Sequence, residues 1–228
     1  MVTVISLGGS IVAPDSPDVD FITRFAAEIR SYLDEDHSRR VILIVGGGGP
    51  ARRYQQAYRE ILGTGADNDE QDWIGIMATR LNAQLIRGVF ADLSVDPVVT
   101  DPTAVSTMAG RVLVAAGWKP GFSTDTDAVY LAEQFKADRI INLSNIAKVY
   151  TDDPRKNPEA KPLDAISWLE FGKLVGDEWT PGRNVPFDPV ATKKASSLGL
   201  KVITAAGSDV ENIGRLLRNL PFEGTVIG

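Results

Sequence analysis

The 228-residue chain contains no cysteine and only one histidine, His37. The first absence removes disulfides, thiolate metal sites and cysteine nucleophiles, and it fits a cytoplasmic protein. The second disfavours histidine-centred catalysis, because His37 lies in the polar stretch 34–38, where a solvated loop residue is the ordinary reading. Basic residues are in deficit: 24 Lys and Arg stand against 30 Asp and Glu, a formal net charge of −6. That balance argues against nucleic acid or an anionic membrane surface as a partner. Long apolar runs are missing too, none nearing the ~18 residues of a membrane span. Met1 leads straight into the strand-like run 2–7 without the basic start and cleavage site of a signal peptide, so a cytoplasmic location is expected. Two nucleotide motifs are absent. Gly46–Gly49 is not followed by Gly-Lys-Ser/Thr, and no Gly-x-Gly-x-x-Gly with a downstream acid occurs. A P-loop NTPase and a dinucleotide dehydrogenase are therefore disfavoured.

What is present is an alternation. With 43% apolar residues the chain can bury one sizeable core. Short apolar runs at 3–7, 41–45, 97–100, 112–116, 139–143, 201–205 and 225–227 read as strands. Helical patterns at 18–33, 50–62, 72–90, 125–136, 188–198 and 209–217 separate them. Tyr54, Ala57, Tyr58, Ile61 and Leu62 recur at the spacing of one buried helix face, as do Ile74, Met77, Leu81 and Leu85. Strands apolar on both faces and separated by helices predict a mainly parallel sheet covered on both sides, a single α/β domain. The stretch 151–162, rich in Pro, Asp and Lys, reads as a loop.

Three glycine turns follow strands: Ser6-Leu7-Gly8-Gly9-Ser10, Gly46–Gly49, and Gly117 to Asp125. In a parallel sheet all three lie beyond the carboxyl ends of the strands, where such folds bind ligands. Backbone amides and helix starts gathered there suit a phosphate. Each turn taken singly is equally an ordinary structural turn. Arg52 and Arg53, one turn into the helix after the second, are either guanidiniums for that phosphate or plain surface residues. Asp125 falls at the expected N-cap of its helix, a capping role compatible with a catalytic one. Lys193 in Thr192-Lys193-Lys194-Ala195 reads on its own as a solvated helix lysine.

In order, the blocks Ser6–Ser10, Val45–Gly48 with Ala51–Tyr54, Asp72–Ile76 with Thr79–Ala83, Pro120–Asp125, Asn145 with Val149–Lys156, and Asp188–Lys193 span nearly the whole chain. The series resembles the amino acid kinase superfamily, and within it the archaeal-type uridylate kinases. The Asn145 block with Val-Tyr-Thr-x-Asp-Pro marks the superfamily; the Asp72–Ala83 block with Asp188–Lys193 points to the uridylate branch.

The resemblance implies a three-layer αβα sandwich with a mainly parallel, roughly eight-stranded sheet. It places the acceptor in a half formed by residues 1–115 and ATP in a half formed by 116–228. The implied reaction is phosphoryl transfer from Mg²⁺-ATP to UMP, a step of pyrimidine nucleotide synthesis, carried out by a homohexamer. Carried across by position, Gly47, Gly48 and Arg52 would hold the acceptor phosphate, Asp72 its ribose, and Thr124 a further acceptor contact. Gly8, Gly9, Ser10, Asn145, Tyr150 and Asp153 fall on the ATP side. Asp125 would organise the catalytic centre and Lys193 would reach the transferring phosphate. No residue is implied as a metal ligand.

The sequence departs from the pattern at three places. Ser6 stands where many members carry lysine, and Lys119 is a position from which a replacement charge would come. Ile146-Ala147-Lys148 replaces the usual Val-Asp-Gly, implying either a different local backbone or a cation beside the nucleotide. Trp118, Gly121 and Phe122 alter the segment that frames the acceptor base. Two alternatives stay open: another small phosphate or carboxylate acceptor such as isopentenyl phosphate, and a nucleotide- or oxyanion-binding protein without turnover.

Overall fold

The computed structural model describes residues 1–154, 156–176 and 185–228. In chain order its elements are β1 (Val2–Leu7), α1 (Gly9–Val12), α2 (Val19–Asp34), β2 (Arg40–Val45), α3 (Gly48–Leu62), α4 (Asn68–Val89), β3 (Val112–Ala115) and α5 (Thr124–Gln134). There follow β4 (Arg139–Ser144), β5 (Val149–Tyr150), β6 (Pro162–Leu163), β7 (Ala165–Ile166), α6 (Trp168–Val175), α7 (Pro189–Ser197), β8 (Lys201–Ala206), α8 (Val210–Leu217) and β9 (Thr225–Ile227).

Seven strands form one sheet in the order β3-β2-β1-β4-β8-β9-β7, and β5 and β6 make a separate antiparallel pair. All neighbours in the large sheet run parallel except β8 and β9. Among the described residues the expected sheet of roughly eight strands has seven. The run 97–100 contributes one isolated bridge, Val99 to Ala115, in place of a strand. Pro97 has no N–H to give and Pro102 follows closely, so the edge is extended by a single residue.

The sheet is covered on both faces. Ile5, Leu7, Leu43, Val45, Leu143 and Ala205 face α2, α4 and α8, in a core that includes Phe25, Ile29 and Phe90. Val4, Ile42, Ile44, Ile140 and Val202 face α5, α6 and α7, with Phe171 and Phe187. The α3 helix lies outside this sandwich, against α4 and α1, and covers no strand.

That placement corrects the two predicted buried stripes. In α3 only Gly49 and Ala51 are buried, while Tyr54 is 71% and Ile61 79% exposed. In α4 the buried residues are Gln71, Gly75, Ile76, Thr79, Asn82, Ala83 and Ile86, whereas Met77, Leu81 and Leu85 face out. The helix also begins before the expected Asp72, because the Asp67 side chain accepts the N–H groups of Asp69 and Glu70 and caps it there. The α6 helix, absent from the predicted set, has a complete capping box between Ser167 and Glu170.

Candidate active site

β1 sits between β2 and β4, so the chain turns one way from it to build β2 and β3 and the other way to build β4 and β8. The carboxyl end of such a strand opens a crevice. Ser6, Gly8 and Gly9 stand at that end.

The first two glycine turns meet there back to back. A Cβ on Gly9 would lie 2.1 Å from the Gly48 nitrogen, and one on Gly46 would lie 2.4 Å from the Gly9 nitrogen. Gly48 adopts φ +65°, a left-handed backbone that favours glycine. Several amides are already used to hold the turns: Gly8 donates to Leu143 O (2.8 Å), Gly46 to Leu7 O (3.0 Å) and Gly49 to Ala13 O (2.8 Å). The turns are therefore first a backbone joint, with only part of their N–H set left for a ligand.

α4 fixes this joint to the third turn. Asn82 donates its side-chain N–H groups to the carbonyls of Gly46 (2.8 Å) and Gly47 (3.1 Å). Thr79 Oγ1 accepts the Gly117 N–H at 2.8 Å, Arg80 donates to the Trp118 carbonyl at 3.1 Å, and Asp72 Oδ2 accepts the Gly121 N–H at 3.0 Å. Between α3, α4 and the third turn lies a cleft lined by Gly47, Gln55, Asp72, Gly75, Ile76, Thr79, Phe122 and Thr124, among others. It takes residues from both sides of position 115.

Of the five expected acceptor residues, the cleft gathers Gly47, Asp72 and Thr124. Gly48 is adjacent to Gly47. Arg52 is exposed at its rim and donates to the Pro14 carbonyl at 3.2 Å, while Arg53 pairs with Asp15 at 3.4 Å. Lys119 lies over the rings of Trp118 (3.9 Å) and Phe122 (4.8 Å), a cation on aromatic faces, one of which lines the cleft.

Asp125 does not cap its helix. Ser123 is the N-cap, its hydroxyl accepting the Thr126 N–H at 3.2 Å. The N-cap lies two residues earlier than expected, which leaves the Asp125 carboxylate in the first turn, aimed at the sheet. Its Oδ1 accepts from Ser6 Oγ at 3.1 Å and its Oδ2 from the Asp188 N–H at 3.3 Å. Although some of the side chain meets solvent, surrounding protein strips most of its hydration. That desolvation, then the Asp188 charge, pushes its carboxyl up to about 7, against the pull of the two hydrogen bonds.

Asp127 is fully buried and was not singled out from the sequence. Burial is again the first cause of a carboxyl pushed up to about 7, while the Trp118 N–H, 3.2 Å away, opposes it. An acid two residues from another, both early in one helix, was the available signal.

Asp188 caps α7 by accepting from Val190 and Ala191, with Pro189 in the first turn. Lys193 is exposed on that helix. Its neighbour Lys194 is tied to α5, 2.6 Å from Glu133 and over the Tyr130 ring.

On the other wall, Gly8, Gly9 and Ser10 lead into α1, and Asn145 follows β4 as an exposed residue. Tyr150 belongs to the β5–β6 pair and Asp153 to the turn after it, where its carbonyl accepts from Lys156 and Asn157. Arg155 of this block lies outside the described residues. The Lys148 ammonium pairs with Asp164 at 2.5 Å, and its backbone has no left-handed φ. Lysine replaces the usual glycine here without backbone strain.

A parallel αβα sandwich whose switch-point crevice collects glycine turns, helix starts, a desolvated carboxylate and a flanking lysine is an α/β protein suited to phosphate-bearing ligands. The amino acid kinase family model matches residues 1–204, and the chain belongs to that family. It is 33% identical over 227 residues to the uridylate kinase of Pyrococcus abyssi, covering 98% of each chain. It is 38% identical to the uridylate kinase of Thermococcus sibiricus, again covering 98% of each. The crystal structure of uridylate kinase from Archaeoglobus fulgidus superimposes with a TM-score of 0.84 at 34% identity, over the full length of both chains.

Proposed function

We propose that the chain is a uridylate kinase, a phosphotransferase moving the γ-phosphoryl group of Mg²⁺-ATP to UMP to give UDP and ADP. The observation that carries this is the cleft joining Gly47, Asp72 and Thr124 beside Asp125, in a chain alignable end to end with uridylate kinases. Phosphoryl transfer asks the protein chiefly to align two substrates and to neutralise charge on the equatorial oxygens. The acceptor phosphate is itself the nucleophile, so no histidine base is needed. Its attacking oxygen forms a bond to the γ-phosphorus as the bond to the β–γ bridging oxygen breaks, and ADP leaves.

In this reading Gly47, Gly48 and Arg52 hold the UMP phosphate, Asp72 the ribose, and Thr124 the acceptor where it meets the donor. Gly8, Gly9, Ser10, Asn145, Tyr150 and Asp153 form the ATP side. Lys193 brings positive charge to the transferring group and Asp125 organises the centre between them. The halves 1–115 and 116–228 are acceptor and donor sides of one crevice, with the third glycine turn crossing to the acceptor. Mg²⁺ enters on the nucleotide phosphates. Among the described residues no three His, Cys, Asp or Glu side chains are grouped to hold an ion by themselves.

The test is ADP release from Mg²⁺-ATP across a panel of nucleoside monophosphates and isopentenyl phosphate. UMP is expected to give the highest kcat/KM. No turnover with any acceptor would falsify the assignment.

The working form is a homo-oligomer in the cytoplasm, a hexamer by resemblance to the family. The outward apolar residues of α3 and α4 support assembly: Tyr54, Ile61, Leu62, Met77, Leu81 and Leu85 are exposed on two adjacent helices. A second copy of the same face would cover them. Leu81→Asp should lower the mass seen by light scattering while leaving the fold intact; an unchanged mass would place the interface elsewhere. Among the described residues no helix is long and apolar enough to cross a membrane.

A further inference from the structure

We infer that Ser6 is a positioning residue for Asp125, its hydroxyl holding the carboxylate at one oxygen while the Asp188 N–H holds it at the other. The inference rests on the proposed role of Asp125 at the catalytic centre.

Ser6 is 3% exposed near the end of the central strand, flanked in register by Ile44 on β2 and Asn142 on β4. A buried hydroxyl costs stability unless it is bonded. Its bond is the 3.1 Å donation to Asp125 Oδ1, across 119 residues of sequence. Asn142, beside it, donates to the Pro186 carbonyl at 2.8 Å. Together with the Asp188 N–H on Oδ2, these contacts tie β1 and β4 to the first turn of α5 and to the segment entering α7. The α7 helix carries Lys193. Ser6 therefore fixes the carboxylate relative to both the acceptor cleft and the donor-side lysine.

A lysine at this position would present an ammonium to Asp125. A serine presents one neutral donor, which favours the ionised carboxylate without cancelling its charge. The charged groups facing Asp125 are Asp188 from α7 and Asp127 from its own helix, both acidic; β1 contributes the Ser6 hydroxyl and β4 the neutral Asn142. Removal of the hydroxyl leaves burial and the Asp188 charge opposed by a single backbone N–H.

The test uses the full-length protein with ¹³C-labelled aspartate. The Asp125 carboxyl resonance, assigned by its loss in Asp125→Asn, is titrated in the wild type, Ser6→Ala and Ser6→Thr. In parallel, kcat is measured against pH. Ser6→Ala should raise the titration midpoint, and with it the acidic limb of kcat, by about one pH unit. Ser6→Thr keeps the hydroxyl and should keep both near wild type. An unmoved midpoint in Ser6→Ala overturns the inference. Equal shifts in Ser6→Ala and Ser6→Thr also overturn it, by assigning the effect to packing. Wild-type turnover by Asp125→Asn removes the reading of Asp125 itself, an outcome separable from the NMR result.

Discussion

The two faces of the same sheet are built differently. Toward α2, α4 and α8, the strands present Ile5, Leu7, Leu43, Val45, Leu143 and Ala205, a mostly apolar face whose buried polar groups include Thr3 and the unpartnered Tyr32 hydroxyl. Toward α5 and α7, the equivalent row carries Ser6, Asn142 and Thr204, all buried, beneath Asp125, Asp127, Asp188 and Thr192. On that side Asp127 Oδ1, Asp188 Oδ2, Thr192 Oγ1 and Thr204 Oγ1 are buried without a hydrogen-bond partner among the described residues. Unsatisfied polar groups weaken a fold. One face thus supplies the stability that lets the other keep polar groups where the chemistry needs them.

The contrast breaks most sharply on the apolar face. Phe25, fully buried in α2, should cost about 3–5 kcal/mol of unfolding free energy when replaced by alanine. Its kcat at a temperature where the variant is folded should stay near wild type; a large kinetic loss there would erase the division. On the polar face the expectation reverses. Lys193→Ala should lower kcat by about 100-fold with little change in denaturant midpoint. Arg52→Ala should chiefly raise KM for the acceptor, by about tenfold. Unchanged kinetics in both variants would show that the roles are misplaced.

The pH-dependent effect is the most diagnostic. Asp127 titrates near 7 in the fold against an ordinary 3.8. A carboxyl raised this way binds its proton more tightly in the native state, so stability falls as pH rises from about 4 to about 7. Asp127→Asn removes that penalty. It should gain up to about 4 kcal/mol at pH 8 and nothing near pH 4, read by urea unfolding at both values. A gain that is the same at both pH values would point to packing instead of charge.

Much of this arrangement was legible in the sequence. Six of the seven predicted strands appear in the sheet, because short runs apolar on both sides leave little choice but a covered parallel sheet. The glycine turns and the blocks around Asp72, Asp125 and Asp188 marked the crevice. What periodicity does not reveal is the partner of an apolar face. In α2, Phe21, Ile22, Phe25 and Ile29 are buried in the core, yet the equally regular stripe of α4 points outward. A helix records that one side avoids water, not which chain excludes it. Local signals were also passed over: Asp67 ahead of α4, and the Ser-x-x-Glu box that opens α6. The Ser6–Asp125 contact spans 119 positions, and no local pattern encodes it.

The back-to-back glycine turns also constrain motion. With the Gly9 and Gly48 backbones too close to admit a methyl group between them, neither turn slides past the other. The joint beneath the crevice therefore moves as one block. Because α4 ties the third glycine turn to this joint through Asn82, Thr79 and Asp72, any closing of the crevice in the proposed kinase has to come from elements outside that tied unit.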